Sequence, residues 1–143
     1  MQLPPGVELP FAWVRVRGDR AYVSGHGALD PDGTLSGPFG KVGAEVSPEE
    51  GYEAARGAAL SVLASLKREL GDLDRVSTWL MVHGLVNAAP DFGGTAGVVN
   101  GFSDLILDLY GPEAGMHARA APGVATLPLN HAVFVAAEVE IDG

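Results

Sequence analysis

With two lysines and seven arginines set against 18 acids, this 143-residue chain carries a formal net charge of −9, a poor basis for gripping a phosphate backbone. Zero cysteines exclude disulfides, a thiolate zinc site and a thiol nucleophile together, and no run of about 18 apolar residues could span a membrane. The hydrophobic share of 47% suits the core of one domain, with the cytoplasm as the default location because MQLPPGVELP lacks the features of a secretion signal.

Residues 1–10 are Pro-rich and read as an arm preceding a domain over 11–143. Trp13 to Arg17 alternates, Gly18-Asp19 supplies turn chemistry, and Arg20 to Ser24 resumes as a second strand, which predicts a hairpin. Arg15, Arg17 and Arg20 then read as a solvated edge that discourages unwanted strand pairing. From Gly25 to Val46, Gly, Pro and Asp dominate and predict a long loop. Ser47-Pro48-Glu49-Glu50 combines an N-cap, a proline suited to N1 and a capping-box glutamate. The stripe Tyr52, Ala55, Ala59, Val62, Leu66 and Leu70 continues that helix to a stop at Gly71.

Val76 to Val86 is nearly continuous in apolar character, as in a central strand. Thr95 is placed to cap a second helix through Val98, Phe102, Leu105 and Leu109, closed by Gly111-Pro112. Gly97 and Gly101 within it suggest close approach of another backbone. Arg119 to Thr126 and His131 to Ile141 read as two strands joined by Leu127-Pro128-Leu129-Asn130. The order is ββ-α-β-α-ββ: an α+β domain with a single sheet and two helices on one face. The uncovered face presents Phe134 and Ala136 beside Glu138 and Glu140, which points to an oligomer.

Few residues carry a chemical signal. The four histidines have no metal-ligand spacing, so no metal is expected and hydrogen-bonded structural roles are the plain reading; His26 is set apart by following a strand end. No G-x-S-x-G elbow is present, and Gly37 to Gly43 lacks a phosphate-cradling pattern, so no cofactor is expected. Arg119 has no acid beside it in sequence. An arginine beginning an apolar strand either snorkels to solvent or offers its planar fork to a carboxylate, and both readings stand.

Tyr22-Val23-Ser24-Gly25, the helix opening Glu50 to Arg56, Gly71 to Val76, and above all His117-Ala118-Arg119-Ala120-Ala121 followed by Leu127-Pro128-Leu129 together resemble the Rid family. This family is also called the YjgF or L-PSP endoribonuclease family, and the resemblance runs from about Phe11 to Ile141. It implies a chorismate-mutase-like fold and a homotrimer with ligand clefts between subunits. It further implies hydrolysis of reactive enamines or imines to 2-keto acid and ammonia.

Carried over by position, Arg119 is the carboxylate clamp, Gly25 the strand-end glycine and Asn100 the cleft asparagine; His26 is added to the substrate-binding set. Three positions depart from the deaminase pattern: Phe11 stands where a tyrosine is usual, Ala121 where a cysteine is frequent, and Phe134 where a glutamate orients water. Glu138 is four residues beyond Phe134, ~13 Å along a strand, too far to replace that glutamate. The partner expected is a small carboxylate metabolite, with no nucleic acid and no membrane. The alternatives are a non-catalytic carboxylate binder and the endoribonuclease of the family's older name, which the charge disfavours.

Overall fold

The computed structural model describes Gly6 and residues 8–142. Most of the arm expected over 1–10 therefore lies outside the described residues. A hairpin opens the fold, β1 (Val14–Arg17) and β2 (Arg20–His26), with Gly18 at φ +62 supplying the left-handed turn residue. Helix α1 (Pro48–Leu70) begins as the sequence dictates. Ser47 Oγ accepts from the Glu50 amide at 3.1 Å and Glu50 accepts from the Ser47 amide at 3.0 Å, the complete capping box. Strand β3 (Val76–Asn87), helix α2 (Thr95–Ala114), the short strands β4 (Ala118–Ala120) and β5 (Gly123–Val124), and β6 (Val133–Ile141) follow.

The strands form one mixed sheet in the order β1-β2-β6-β3-β4, with β5 also paired to β3. β4 and β5 run parallel to β3, and the other pairings are antiparallel. Both helices pack against one face, over a core that includes Trp79, Phe102, Leu66 and Ile106. The α+β class and the two-helix, single-sheet architecture expected from the sequence are thus observed.

Several local expectations are corrected. Arg119 to Thr126 is two short strands, because Pro122 has no amide hydrogen to donate to a ladder and divides them. β6 is not their hairpin partner; it lies between β2 and β3. Thr95 is the first residue of α2, and Gly94 occupies the N-cap without a side-chain bond. The helical assignment runs past Gly111, whose non-helical φ of 82 kinks the chain before a last turn at Pro112. Gly101 does permit a close approach, since a Cβ there would lie 2.0 Å from the Tyr52 carbonyl oxygen of α1. Gly97 meets nothing within 4 Å, so close packing does not explain it.

Candidate functional site

The residues singled out by sequence fall into two groups on one chain. The first surrounds Arg119, which pairs in register with the buried Val82 of β3 and therefore shares the helix-covered side of the sheet. Its Nη1 donates to Asn100 Oδ1 at 2.8 Å and Ser103 Oγ at 3.1 Å, and its Nη2 donates to the Ala96 carbonyl at 3.3 Å. All three acceptors are neutral and come from the first turns of α2. A guanidinium has five N–H donors. Three are used, so Nε and one Nη2 hydrogen, on nitrogens sharing one edge of the plane, remain for a ligand. Arg119 is half-buried, and among the described residues the ion pair is Arg20 with Glu138 at 3.3 Å, which leaves Arg119 without a carboxylate.

Ser103 was missed by sequence reasoning, although it follows Asn100 by three residues on the same helix and so shares its face. Its hydroxyl also meets His117 Nε2 at 2.8 Å, while His117 Nδ1 meets the Gly115 carbonyl at 2.7 Å. The Nδ1–H tautomer satisfies both contacts, with the serine hydroxyl donating to Nε2. The chain Arg119–Ser103–His117–Gly115 holds the guanidinium in one orientation. Ala121, just beyond β4, packs partly buried against the core.

The second group lines a cavity of about 270 Å³, walled by Phe11, Trp13, Leu29, Leu35, Leu129 and Phe134, with Gly25, His26, His131 and Arg68 among its other boundaries. Phe11 and Trp13 meet edge-to-face at 5.3 Å, and Trp13 meets His26 at 5.0 Å. Gly25 makes room for this arrangement: a Cβ would sit 3.1 Å from Phe134 Cδ2. His26 is buried and uses both nitrogens, Nδ1 on the Ser24 carbonyl at 2.5 Å and Nε2 on Ser65 Oγ at 2.7 Å. Ser65 in turn accepts from Arg68 at 2.9 Å, so a second arginine–serine–histidine–carbonyl chain stands here. Burial pushes the His26 pKa below its ordinary 6.5, opposed by the bond to the Ser24 carbonyl and aided by the charge of Arg68.

The structure thus brings Phe11, Gly25, His26 and Phe134 together and brings Arg119 and Asn100 together, while Arg119 does not line that cavity. Glu138 is engaged by Arg20, and among the described residues no Asp or Glu lines the cavity. Trp13, Arg68 and His131 are cavity residues that the sequence did not mark, because the elements carrying them are far apart along the chain.

Residues 22–141 match the family described as YjgF/chorismate mutase-like, putative endoribonuclease. The chain is 40% identical to Protein TCP17 of Trypanosoma cruzi over 143 aligned residues, which cover 96% of this chain and 89% of that protein. A protein of unknown function from Agrobacterium tumefaciens superposes with a TM-score of 0.88 at 37% identity, covering 96% of this chain and 87% of the other. A putative endoribonuclease from Shewanella oneidensis superposes with a TM-score of 0.86 at 29% identity, covering 99% and 93%.

Proposed function

We propose that this chain, which belongs to the YjgF/chorismate-mutase-like family, hydrolyses small carboxylate-bearing imines and enamines to 2-keto acid and ammonia as a cytoplasmic homotrimer. The observation that carries the reading is the Arg119 fork, held by three neutral oxygens with two donors to spare. A carboxylate accepts two parallel N–H bonds, the strongest geometry an arginine offers. Anchoring the substrate there leaves its imine carbon open to water, whose oxygen replaces nitrogen as ammonia departs.

The trimer is supported by the uncovered sheet face and by the separation of the two groups on one chain. In the proposed assembly the Arg119–Asn100 edge of one protomer meets the aromatic cavity of its partner. The carboxylate then lies on the guanidinium and the apolar side chain in the cavity. Phe11 and Phe134 suit that cavity to branched or aromatic side chains.

The test uses 2-imino acids generated in solution from leucine and phenylalanine by an amino-acid oxidase, with keto-acid formation followed over the uncatalysed rate. The chain is expected to accelerate it, and Arg119→Ala to lower kcat/KM by about 10²-fold, as loss of a charge-assisted fork implies. Absence of acceleration across these imines would reject the hydrolase.

A second reading, a non-catalytic carboxylate binder, is favoured by the absence of an acid among the described residues that line the cavity. Calorimetry with 2-keto acids separates the two: tight, Arg119-dependent binding without turnover identifies the binder. An RNA-cleaving role runs against the −9 charge, and its mark would be cleavage that weakens steeply with salt.

A further inference from the structure

All four histidines lie among the described residues, and they fall into three kinds. His26 and His117 each spend both ring nitrogens on a carbonyl and a serine hydroxyl. His83 is exposed on the open face of the sheet. His131 is 3% exposed, borders the aromatic cavity, and has no hydrogen-bond partner for either ring nitrogen among the described residues. Its own carbonyl is engaged by Asn87 Nδ2 at 3.2 Å, and its amide by Pro128 at 3.2 Å, so the backbone is fixed while the ring is not bonded.

A buried imidazole without a partner destabilises the fold unless something arrives to satisfy it. Among the described residues the fully occluded side-chain atom that lacks a partner is Trp79 Nε1, whereas the His131 nitrogens are not sealed in that way and belong to a ring that borders the cavity. The ring is nevertheless held in place, between Phe134 at 5.1 Å and Phe39 at 5.9 Å. Its Nδ1 and Cε1 press on Gly27, where a Cβ would come within 2.6 Å of both atoms. Only a glycine leaves room for the ring at that point, and Nε2 is the nitrogen farther from it.

We propose that His131 is the acid–base catalyst of the hydrolysis, an inference that rests on the function proposed above. Water bonds through oxygen to the imine carbon while its proton passes to the neutral imidazole, and the C=N π pair moves onto nitrogen. The imidazolium returns that proton to the nitrogen, giving a carbinolamine. The hydroxyl proton then crosses to the amine through the same ring, the C–N bond breaks, and ammonia leaves as the C=O bond forms. Imine and water have become ketone and ammonia, and His131 ends neutral.

Elimination supports this assignment. His26 has both nitrogens committed, the Arg68 guanidinium is a donor only, and among the described residues no carboxylate borders the cavity, so His131 is the free proton carrier among the lining residues. Burial lowers its pKa from the ordinary 6.5, which keeps it a base at neutral pH. The titratable or charged groups sharing the cavity are His26 from β2 and Arg68 from α1. Lys41, on the backbone side, is held by Asn87 Oδ1 at 2.9 Å and by the Ala125 carbonyl.

The experiment compares wild type, His131→Gln and His131→Ala on the leucine- and phenylalanine-derived imino acids. The Gln variant is expected to lose about 10²-fold in kcat with KM changed little, as removal of general acid–base catalysis implies. Wild-type kcat should rise with pH through a value below 6.5, and that limb should vanish in the Gln variant. Added imidazole should restore part of the His131→Ala rate, a recovery that a packing role does not produce. Unchanged kcat in His131→Gln, an effect on KM alone, or an acid limb that survives the substitution overturns the proposal while leaving the hydrolase standing. A wild-type chain that accelerates no imine removes both.

Discussion

Along β6 the odd-numbered residues Val133, Val135, Ala137, Val139 and Ile141 are at most 5% exposed, whereas Phe134, Ala136, Glu138 and Glu140 each keep part of their surface in solvent. The odd set lies beneath α1 and is closed by it, while α2 packs on the neighbouring β3. On the even side, Glu138 pairs with Tyr22 of β2 and Met81 of β3, Ala136 with His83, and Phe134 with Leu85, where Phe134 also walls the aromatic cavity. One strand with period-2 alternation therefore presents two different faces. One set of side chains makes the domain stable, and the other, which mixes apolar and charged groups, is the face proposed to meet a second protomer.

Substitutions on the two faces should behave differently. The largest effect is expected on the closed side: Gly101→Ala drives a methyl to within 2.0 Å of the Tyr52 carbonyl and should cost about 3 kcal/mol, read by denaturant unfolding. A loss under 1 kcal/mol would mean that α1 and α2 are free to separate. On the open side, Ala136→Arg should leave the melting curve of the protomer close to wild type but weaken association tenfold or more, about 1.4 kcal/mol, by sedimentation. If assembly is untouched, the open face is not the interface. Ser47→Ala, which removes half the capping box of α1, should cost about 1 kcal/mol without changing the oligomer.

The smallest effect concerns pH. Burial depresses the folded pKa of His26 and His131 below the ordinary 6.5, so between those lowered values and 6.5 the unfolded chain binds more protons. The stability gained by holding them neutral is complete above 6.5 and is lost as pH falls through the folded values. Tm should decline on acidification below 6.5. His131→Gln should flatten part of that slope. Equal slopes in the wild type and the variant would sink the claim that burial holds His131 neutral.

Much of this was legible in the sequence for local reasons. The capping box, the alanine-rich stripe and Gly71 mark α1 because each acts within a turn of its neighbours. Arg119 stood out for the same reason, as a cation with no acid nearby in the chain. Less legible was how strands pair over distance. Nothing local announced that β6 inserts between β2 and β3, and Pro122 was passed over as a divider because the residues around it read as one apolar run. Gly97 and Gly101 looked alike in sequence, yet only Gly101 faces another helix backbone.

By itself the sequence determined the α+β class, the helix boundaries at Ser47 and Gly71, the one apolar register of β6 and the isolation of Arg119 from acids, since these depend on contacts between residues close in the chain. Only the tertiary structure decided that Arg119 is oriented by Asn100 and Ser103, that Phe11, Gly25 and Phe134 enclose one cavity, and that His26 is bonded while His131 is left free. Whether a buried polar group is satisfied depends on which distant atoms the fold brings within about 3 Å of it, and one-dimensional spacing does not encode that distance.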